Sequence, residues 1–322
     1  MDPLNSLQDQ KIAVLIPCLN EARTIGKVVS DFQRELPTAD VYVFDNGSTD
    51  ETASIAADQG AIVRKVPRRG KGRAVRAMFR QVSADFYVMV DGDGTYPADA
   101  VKDLLAPAIS GDADMVVGDR FSSNSYDREN TRPLHGFGNR LIRHLINLQA
   151  GATCVDVLSG YRVFSRVFVE TIPVLSDGFE IEAEITLRAL ARDFSIAEIP
   201  VEYKERITGS ESKLRTFSDG ARILKAILLI LKNYRPMRIF GIGALLVAAL
   251  GLLAGSLPII DYVRSGYVFH VPLAILAASL ELMAMLLFIA GLILDTLQSH
   301  ERERVETDLI RRKRETSINQ ST

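Results

Sequence analysis

Cysteine is nearly absent from this 322-residue chain: only Cys18 and Cys154 occur, far apart and without metal-ligand spacing. That pattern supports neither a disulfide framework nor a zinc site, and it suits a reducing compartment. The formal net charge of -2 leaves no global electrostatic footprint for nucleic acid. The polar first residues, 1–11, lack the apolar run of a secretory signal, so the first domain is expected to stay on the side where it is made. There is no Walker A signature, no dinucleotide fingerprint after the first strand, no internal repeat and no low-complexity segment. The length suits one sizeable α/β domain with an appendage, or two modest domains.

Long apolar runs are present, and they sit at the C-terminal end. Residues 239–260 carry no charge and are about long enough to cross a bilayer core. A second run, 268–294, is interrupted only by His270 and Glu281. The short link 261–267 makes the pair a hairpin with both ends on one side. Arg235 and Arg238 precede it and Arg302, Arg304, Arg311, Arg312, Lys313 and Arg314 follow it, whereas the link holds only Arg264, balanced by Asp261. The positive-inside rule then expects both ends, and the large domain, in the cytosol. A pair of buried core helices is the competing reading. Glu281 lies near the middle of the second span, where a carboxylate needs a partner or a proton. That partner would be a neighbouring helix or a second copy, giving a homo-oligomer through the transmembrane helices. Before the first span, 216–234 reads as an amphipathic helix with Phe217, Ile223, Leu224, Ile227, Leu228 and Leu231 on its apolar face. It suits the headgroup region, or alternatively the surface of its own domain.

In the first half, short β-branched runs at 12–16, 41–44, 62–66, 86–90 and 115–117 alternate with helical stretches at 22–35, 49–59, 71–82 and 98–109. This alternation predicts a parallel sheet with helices on both faces and a ligand crevice at the carboxyl ends of the strands. Further on, 137–149 and 180–192 read as helices and 196–203 as a strand. Polar clusters sit where strands end: Pro17-Cys18-Leu19-Asn20-Glu21, then Asp45-Asn46-Gly47-Ser48-Thr49-Asp50, then Asp91-Gly92-Asp93-Gly94-Thr95. Residues two apart in a strand project to the same side, and the glycines permit a turn, so Asp91 and Asp93 can approach one ion. Hard carboxylate oxygens suit Mg2+ or Mn2+, with a substrate diphosphate completing the shell.

Together with Gly70-Lys71-Gly72, Val117-Gly118-Asp119-Arg120, Ser159-Gly160-Tyr161-Arg162, Arg206 and Gly209-Ser210-Glu211-Ser212-Lys213, these clusters resemble the family-two glycosyltransferases. The likeness is to the dolichol-phosphate mannose synthase-like, polyprenyl-phosphate glycosyltransferase branch, over roughly 11–235. It implies an α/β glycosyltransferase A-type (Rossmann-like) domain followed by a two-helix transmembrane hairpin. The expected divisions are a flexible 1–10, a catalytic domain at 11–213, an interfacial helix at 214–237, the two spans at 238–297 and a basic tail at 298–322. The resemblance also implies hexose transfer from a UDP- or GDP-linked donor to a polyprenyl phosphate such as dolichyl or undecaprenyl phosphate. Pro17, Asn20, Glu21 and Asp45 would cradle the nucleotide, with Lys71, Asp91 and Gly92 at the donor and Asp91 and Asp93 at the metal. Lys71 reads equally as a solvated helix start. Arg120, Arg132, Arg162, Arg206 and Lys213 are the phosphate candidates, since guanidinium groups bind phosphate bidentately. Each also reads as a plain surface charge. Of these, Asp93, Arg120 and Arg206 are expected to act in catalysis. Thr95 stands where mannose synthases tend to have glutamine, and the segment 178–184 looks more like a prokaryotic subgroup. The sugar stays open, and the plasma membrane of a prokaryote is favoured over the endoplasmic reticulum.

A phosphate acceptor is mostly dianionic at neutral pH, so a strong general base is dispensable and direct displacement inverts the anomeric centre. Glu180, Glu182, Glu184 and Asp156 could contact sugar hydroxyls or could serve the start of a helix. Two rival readings are a membrane glycosyltransferase with a lipid or glycan hydroxyl acceptor and an inactive nucleotide-sugar-binding scaffold.

Overall fold

The structure, a computed structural model, describes residues 10–121, 156–203 and 236–320. The helix expected at 137–149, the interfacial helix at 216–234, and Arg132, Arg206 and Lys213 lie outside the described residues. The chain divides after Ile227 into two compact units.

The first unit is built on β1 (Ile12–Cys18), β2 (Asp40–Asp45), β3 (Ile62–Lys65), β4 (Phe86–Met89), β5 (Met115–Asp119), β6 (Arg162–Ser165) and β7 (Ile196–Pro200). They form a seven-stranded sheet in the order β3-β2-β1-β4-β6-β5-β7. The helices are α1 (Ile25–Glu35), α2 (Thr52–Asp58), α3 (Lys71–Gln81), α4 (Val101–Ile109), α5 (Arg166–Thr171) and α6 (Ile181–Ala191). Ile12 to Ile16 are all buried, as expected of a central parallel strand covered on both faces. The same principle explains why β1 reads as a continuous apolar run rather than an alternating one. On α1, Ile25, Val28, Val29 and Phe32 recur at helical spacing and bury one stripe against the sheet. Edge strand β3 carries Arg64 and Lys65, charges that discourage pairing with another chain.

The expected parallel sheet needs one correction. β6 runs antiparallel between β4 and β5, while β1–β2, β1–β4, β2–β3 and β5–β7 are parallel. At four residues, opening on an arginine, β6 gives no periodic signal. The expected starts of α1 and α2 also shift inward. Glu21 O accepts from Thr24 N and Ile25 N, and Asp50 Oδ1 accepts from Thr52 N, so the first two polar clusters form turns before these helices begin.

Arg162 is a second correction. It is fully buried rather than free to meet a phosphate. Its Nε donates to Ser159 O at 2.8 Å, Nη2 to Val157 O at 2.6 Å, and Nη1 to Thr186 Oγ1 at 2.8 Å. Thr186 Oγ1 in turn donates to Glu182 O, so one guanidinium ties the loop before β6 to helix α6.

The second unit holds α7 (Pro236–Ser265) and α8 (Val271–Gln320). The first helix runs into the link expected at 261–267 and ends at Ser265, and the turn is closed by Asp261, whose Oδ2 accepts from the backbone N of Phe269 and His270 and pairs with His270 Nδ1 at 2.6 Å. The basic tail continues α8 rather than leaving it. Both helices are long and apolar enough to cross a membrane, and only 11% of the apolar stretch in each is buried. Leu245, Leu252 and Leu286 are largely exposed, a surface that fits hydrocarbon better than water. The two helices approach closely where side chains are small. A Cβ at Gly255 would stand 3.4 Å from that of Ala277, and one at Gly251 would stand 2.6 Å from Glu281 Oε1. Glu281 thus lies in the niche left by Gly251, and its Oε1 is buried with no hydrogen-bond partner among the described residues.

Arg162→Leu removes the donor to three buried acceptors, each worth about 1–3 kcal/mol when stranded. Chemical denaturation of the purified protein should show a loss of about 3 kcal/mol or more. A plain surface or ligand-binding arginine would leave stability unchanged.

Candidate active site

The three polar clusters do meet, at the carboxyl ends of β1, β2 and β4. Asn20 sits in the left-handed region at φ 54°, a conformation that asparagine tolerates better than most residues. Its N donates to Ser48 Oγ at 2.9 Å and its Oδ1 accepts from Thr49 N at 2.8 Å. Glu21, nearly buried, donates its N to Thr52 Oγ1 at 2.8 Å. Asp45, also buried, accepts from Ser48 N at 3.0 Å through Oδ1. Pro17 is half-buried beside Phe44 in the β1–β2 register. Asn46 adds the loop after β3: its Nδ2 donates to Arg68 O and its Oδ1 accepts from Gly70 N. Three loops are therefore knitted into one rim.

The Asp91-Gly92-Asp93 turn is fitted to this rim by its glycines. Gly92 is buried, and a Cβ there would fall 2.6 Å from Cys18 Sγ. Its carbonyl accepts from Thr24 Oγ1 at 2.7 Å, so Gly92 places the turn by packing. Gly94 takes φ 73°, which an L side chain would strain. Asp93 is 3% exposed, and its Oδ1 accepts from Thr95 N and from Thr95 Oγ1 at 2.7 Å.

Asp91 is enclosed from two sides. A Cβ on Gly160 would lie 2.4 Å from Asp91 Oδ2, so only glycine lets the loop before β6 come this close. Gly160 N donates to the Tyr96 hydroxyl at 3.0 Å, which holds that loop in place. On the other side, Lys71 Nζ lies 2.6 Å from Asp91 Oδ1 and 2.6 Å from Glu182 Oε1. The Lys71 and Glu182 side chains are only 11% and 5% exposed. Burial alone would lower the lysine, but Asp91 and then Glu182 hold it above the ordinary lysine range. Burial raises Glu182, Lys71 opposes that rise, and Asp91 adds to it.

Lys71 reaches this position because Gly70 and Gly72 have no side chains. Cβ atoms there would fall 2.1 Å from Asp177 O and 2.2 Å from Ser176 O, and Gly72 N donates to Gly178 O. Arg76 fastens the same segment through Val174 O, Leu175 O and Ser176 O. The reading of Lys71 as a solvated helix start therefore fails.

Arg120 is held by Asp156, with Nε to Oδ2 at 2.7 Å and Nη2 to Oδ1 at 2.8 Å. Its guanidinium lies 5.5 Å from the Tyr203 ring centroid. Burial raises the Tyr96 hydroxyl well above the usual tyrosine range; Arg120 opposes this, while Asp91, Tyr203 and Asp156 reinforce it, so these groups share one neighbourhood. Three of the acidic candidates for sugar contacts have structural partners instead. Asp156 serves Arg120, Glu184 accepts from Leu175 N and Ser176 N and pairs with Arg188, and Glu180 accepts from Gly178 N. Only Glu182 faces the crevice chemistry. Tyr96 and Gly160 carry roles that the sequence did not single out, although both adjoin or belong to quoted motifs.

Among the described residues no group of three or more His, Cys, Asp or Glu side chains is arranged to hold a metal ion. Asp91 and Asp93 still suit Mg2+ or Mn2+, which bind through one or two carboxylates plus substrate phosphates. Asp91 already accepts a cation, the Lys71 ammonium, so the position tolerates positive charge.

The glycosyl transferase family 2 model matches residues 13–172. The chain is 35% identical to Glycosyltransferase AglJ of Haloferax volcanii, over 92% of this chain and 96% of that protein. It belongs to glycosyl transferase family 2. This family 2 enzyme is also 32% identical to the dolichyl-phosphate hexose transferase of Haloferax volcanii, over 68% of this chain and 93% of that one. Its fold is similar to glucosyl-3-phosphoglycerate synthase from Mycobacterium tuberculosis, solved with Mn2+ and UDP-glucose. The TM-score is 0.60 at 23% identity, covering 71% of this chain and 82% of that one. The chain is thus a glycosyltransferase that uses a nucleotide sugar, on a glycosyltransferase A-like mixed sheet.

Gly160→Ala should push the Asp91 carboxylate aside while the helices remain folded. Calorimetric titration with Mn2+ and UDP or GDP should show weakened binding, with unfolding stability lowered by about 1–3 kcal/mol. Unchanged binding would mean that this close approach does not govern the carboxylate.

Proposed function

We propose that this family 2 glycosyltransferase moves a hexose from a UDP- or GDP-linked donor to a polyprenyl phosphate at the cytosolic face of a membrane. The acceptor class rests on one observation above the rest: three of the four acidic side chains weighed as sugar contacts are already matched with cations. Asp156 is paired with Arg120, Glu182 with Lys71 and Glu184 with Arg188. A hydroxyl acceptor needs a general base, which paired carboxylates supply poorly. A phosphate monoester is already mostly dianionic at neutral pH and needs none. The name of the dolichyl-phosphate hexose transferase supports the same class.

In this reading an acceptor phosphate oxygen attacks the anomeric carbon. The bond to the nucleoside diphosphate breaks, and the leaving group takes the electron pair, inverting the centre. Asn20, Glu21 and Asp45 shape the rim for the nucleotide. Asp91 and Asp93 would hold a divalent cation, which would supply Lewis-acid stabilisation of the departing diphosphate. Lys71 adds a fixed positive charge beside it, and Arg120, oriented by Asp156, offsets repulsion between the two anions. Arg206 remains the proposed catalytic contact beyond the described residues, with Arg132 and Lys213 as proposed acceptor-phosphate contacts.

Purified protein with labelled UDP- or GDP-hexoses should label polyprenyl phosphate and leave polyprenol unlabelled. Asp93→Asn should slow transfer by about a hundredfold or more, the loss of about 3 kcal/mol of leaving-group stabilisation. Labelling of the free alcohol would replace this reading with the hydroxyl-acceptor one. Labelling of neither lipid by any donor, with nucleotide still bound, would favour the inactive scaffold.

The positive charges flanking α7 and on α8 support a hairpin whose ends are both cytosolic. Reporters at either terminus should be reachable only from the cytosol, and a cysteine introduced at Ser265 only from outside. External access to the N-terminal reporter in intact cells would overturn this topology.

A further inference from the structure

The Lys71 ammonium lies between two carboxylates, 2.6 Å from each, in a niche nearly closed to solvent. One of those carboxylates, Asp91, is also a proposed metal ligand. The other, Glu182, stands at the start of α6, and Thr186 and Arg162 fasten its backbone to the scaffold. Gly160 limits how far Asp91 can retreat. Two cations are therefore offered to one carboxylate that has little room to move.

We propose that Lys71 is the resident counter-cation of Asp91 and that Glu182 is a positioning residue, tethering Lys71 so that it gives up Asp91 when a divalent cation and a nucleoside diphosphate arrive together. This rests on the metal-dependent reading above. Without the ammonium, Asp91, Asp93 and Glu182 would gather negative charge in a poorly solvated place, which is costly. With it, a divalent cation arriving alone must compete with Lys71 for Asp91. A nucleoside diphosphate changes the balance, because its oxygens give Lys71 a new anionic partner while Glu182 keeps the ammonium within reach. Metal and nucleotide then bind with positive coupling, and Lys71 adds to the coupling that direct ligation of the metal by the diphosphate already supplies. If the ion pair were purely structural, removing Lys71 would leave the size of that coupling unchanged.

The test reads Mn2+ binding by the full chain in detergent, from the electron paramagnetic resonance signal of free Mn2+. Titrations are run with Mn2+ alone, with UDP and with GDP. In the unaltered protein, Mn2+ alone should bind weakly, and one of the two nucleotides should tighten it about fivefold or more, the lower edge of ordinary site–site coupling. Lys71→Met should tighten Mn2+ binding in the absence of nucleotide and reduce the nucleotide effect to the part that direct ligation by the diphosphate supplies. Because that variant strands Glu182, the double variant Lys71→Met with Glu182→Gln removes both charges and should behave the same way. Glu182→Gln alone should act in the opposite sense, leaving Lys71 to Asp91 and weakening Mn2+ binding a few-fold. Asp91→Asn reports on the metal reading itself and should lose Mn2+ under every condition.

If Asp91→Asn loses Mn2+ but the double variant binds Mn2+ alone no more tightly than the unaltered protein, the exchange is overturned and the metal site stands. A nucleotide effect as large in the double variant as in the unaltered protein overturns it equally. If the unaltered protein binds no Mn2+ with either nucleotide, or Asp91→Asn binds normally, the metal-dependent reading fails and the exchange with it.

Discussion

A lysine ammonium held between Asp91 and Glu182, where water barely reaches, constrains much of the first unit. Burial alone would lower its pKa and the two carboxylates more than offset that, which favours a close relation between the turn after β4, α3 and α6 at that point. The glycines make the relation sterically feasible. Gly70 and Gly72 let the start of α3 lie against the backbone of Ser176 and Asp177, and Gly160 lets the loop before β6 lie against Asp91. Each would place a Cβ inside the contact distance of a neighbouring oxygen, so these motif positions are read most simply as backbone approaches. The chemistry they permit belongs to the side chains beside them.

That distinction explains what the sequence revealed and what it hid. The strands that lead to the crevice are short apolar runs, and their polar ends converge because parallel strands bring equivalent ends together. Asp45, Asn20 and Asp91 could be placed on one rim for that reason alone. Arg162 could not be placed. A cation that braces a loop against Val157 O, Ser159 O and Thr186 looks the same in sequence as one waiting for phosphate, because its partners lie up to 24 positions away. Asp156 and Glu184 were obscured similarly, since carboxylates near a crevice carry no mark of being matched to Arg120 or Arg188. β6 was missed because four residues cannot display a period.

The second unit was legible for the opposite reason. A span of apolar side chains is a statement about solvent, and it needs no distant partner to be recognised. The structure adds how the helices approach each other, at Gly251 and Gly255, where small residues allow close contact. It also places Glu281 against Gly251. From the residues alone, this carboxyl could face a neighbouring helix or a second copy; within the chain, α7 offers it a fitted niche but no hydrogen-bond partner for Oε1 among the described residues.

Charge matching then bears on the chemistry. Donor and acceptor in the proposed reaction are both anionic, and bringing them together requires cations at the crevice. A site with bare cations would bind stray phosphate whenever the substrates were absent. Here Lys71 and Arg120 are each satisfied by acidic side chains of the protein itself. A phosphate must therefore compete with a carboxylate already in place, which weakens binding of any single anion. Substrates that arrive as a set, bringing a diphosphate, a divalent cation and a second phosphate, are less affected, because each new charge is offset by another. Internal pairing of this kind lowers affinity for fragments while preserving affinity for the full reacting assembly, which is the discrimination that a transferase between two anions needs.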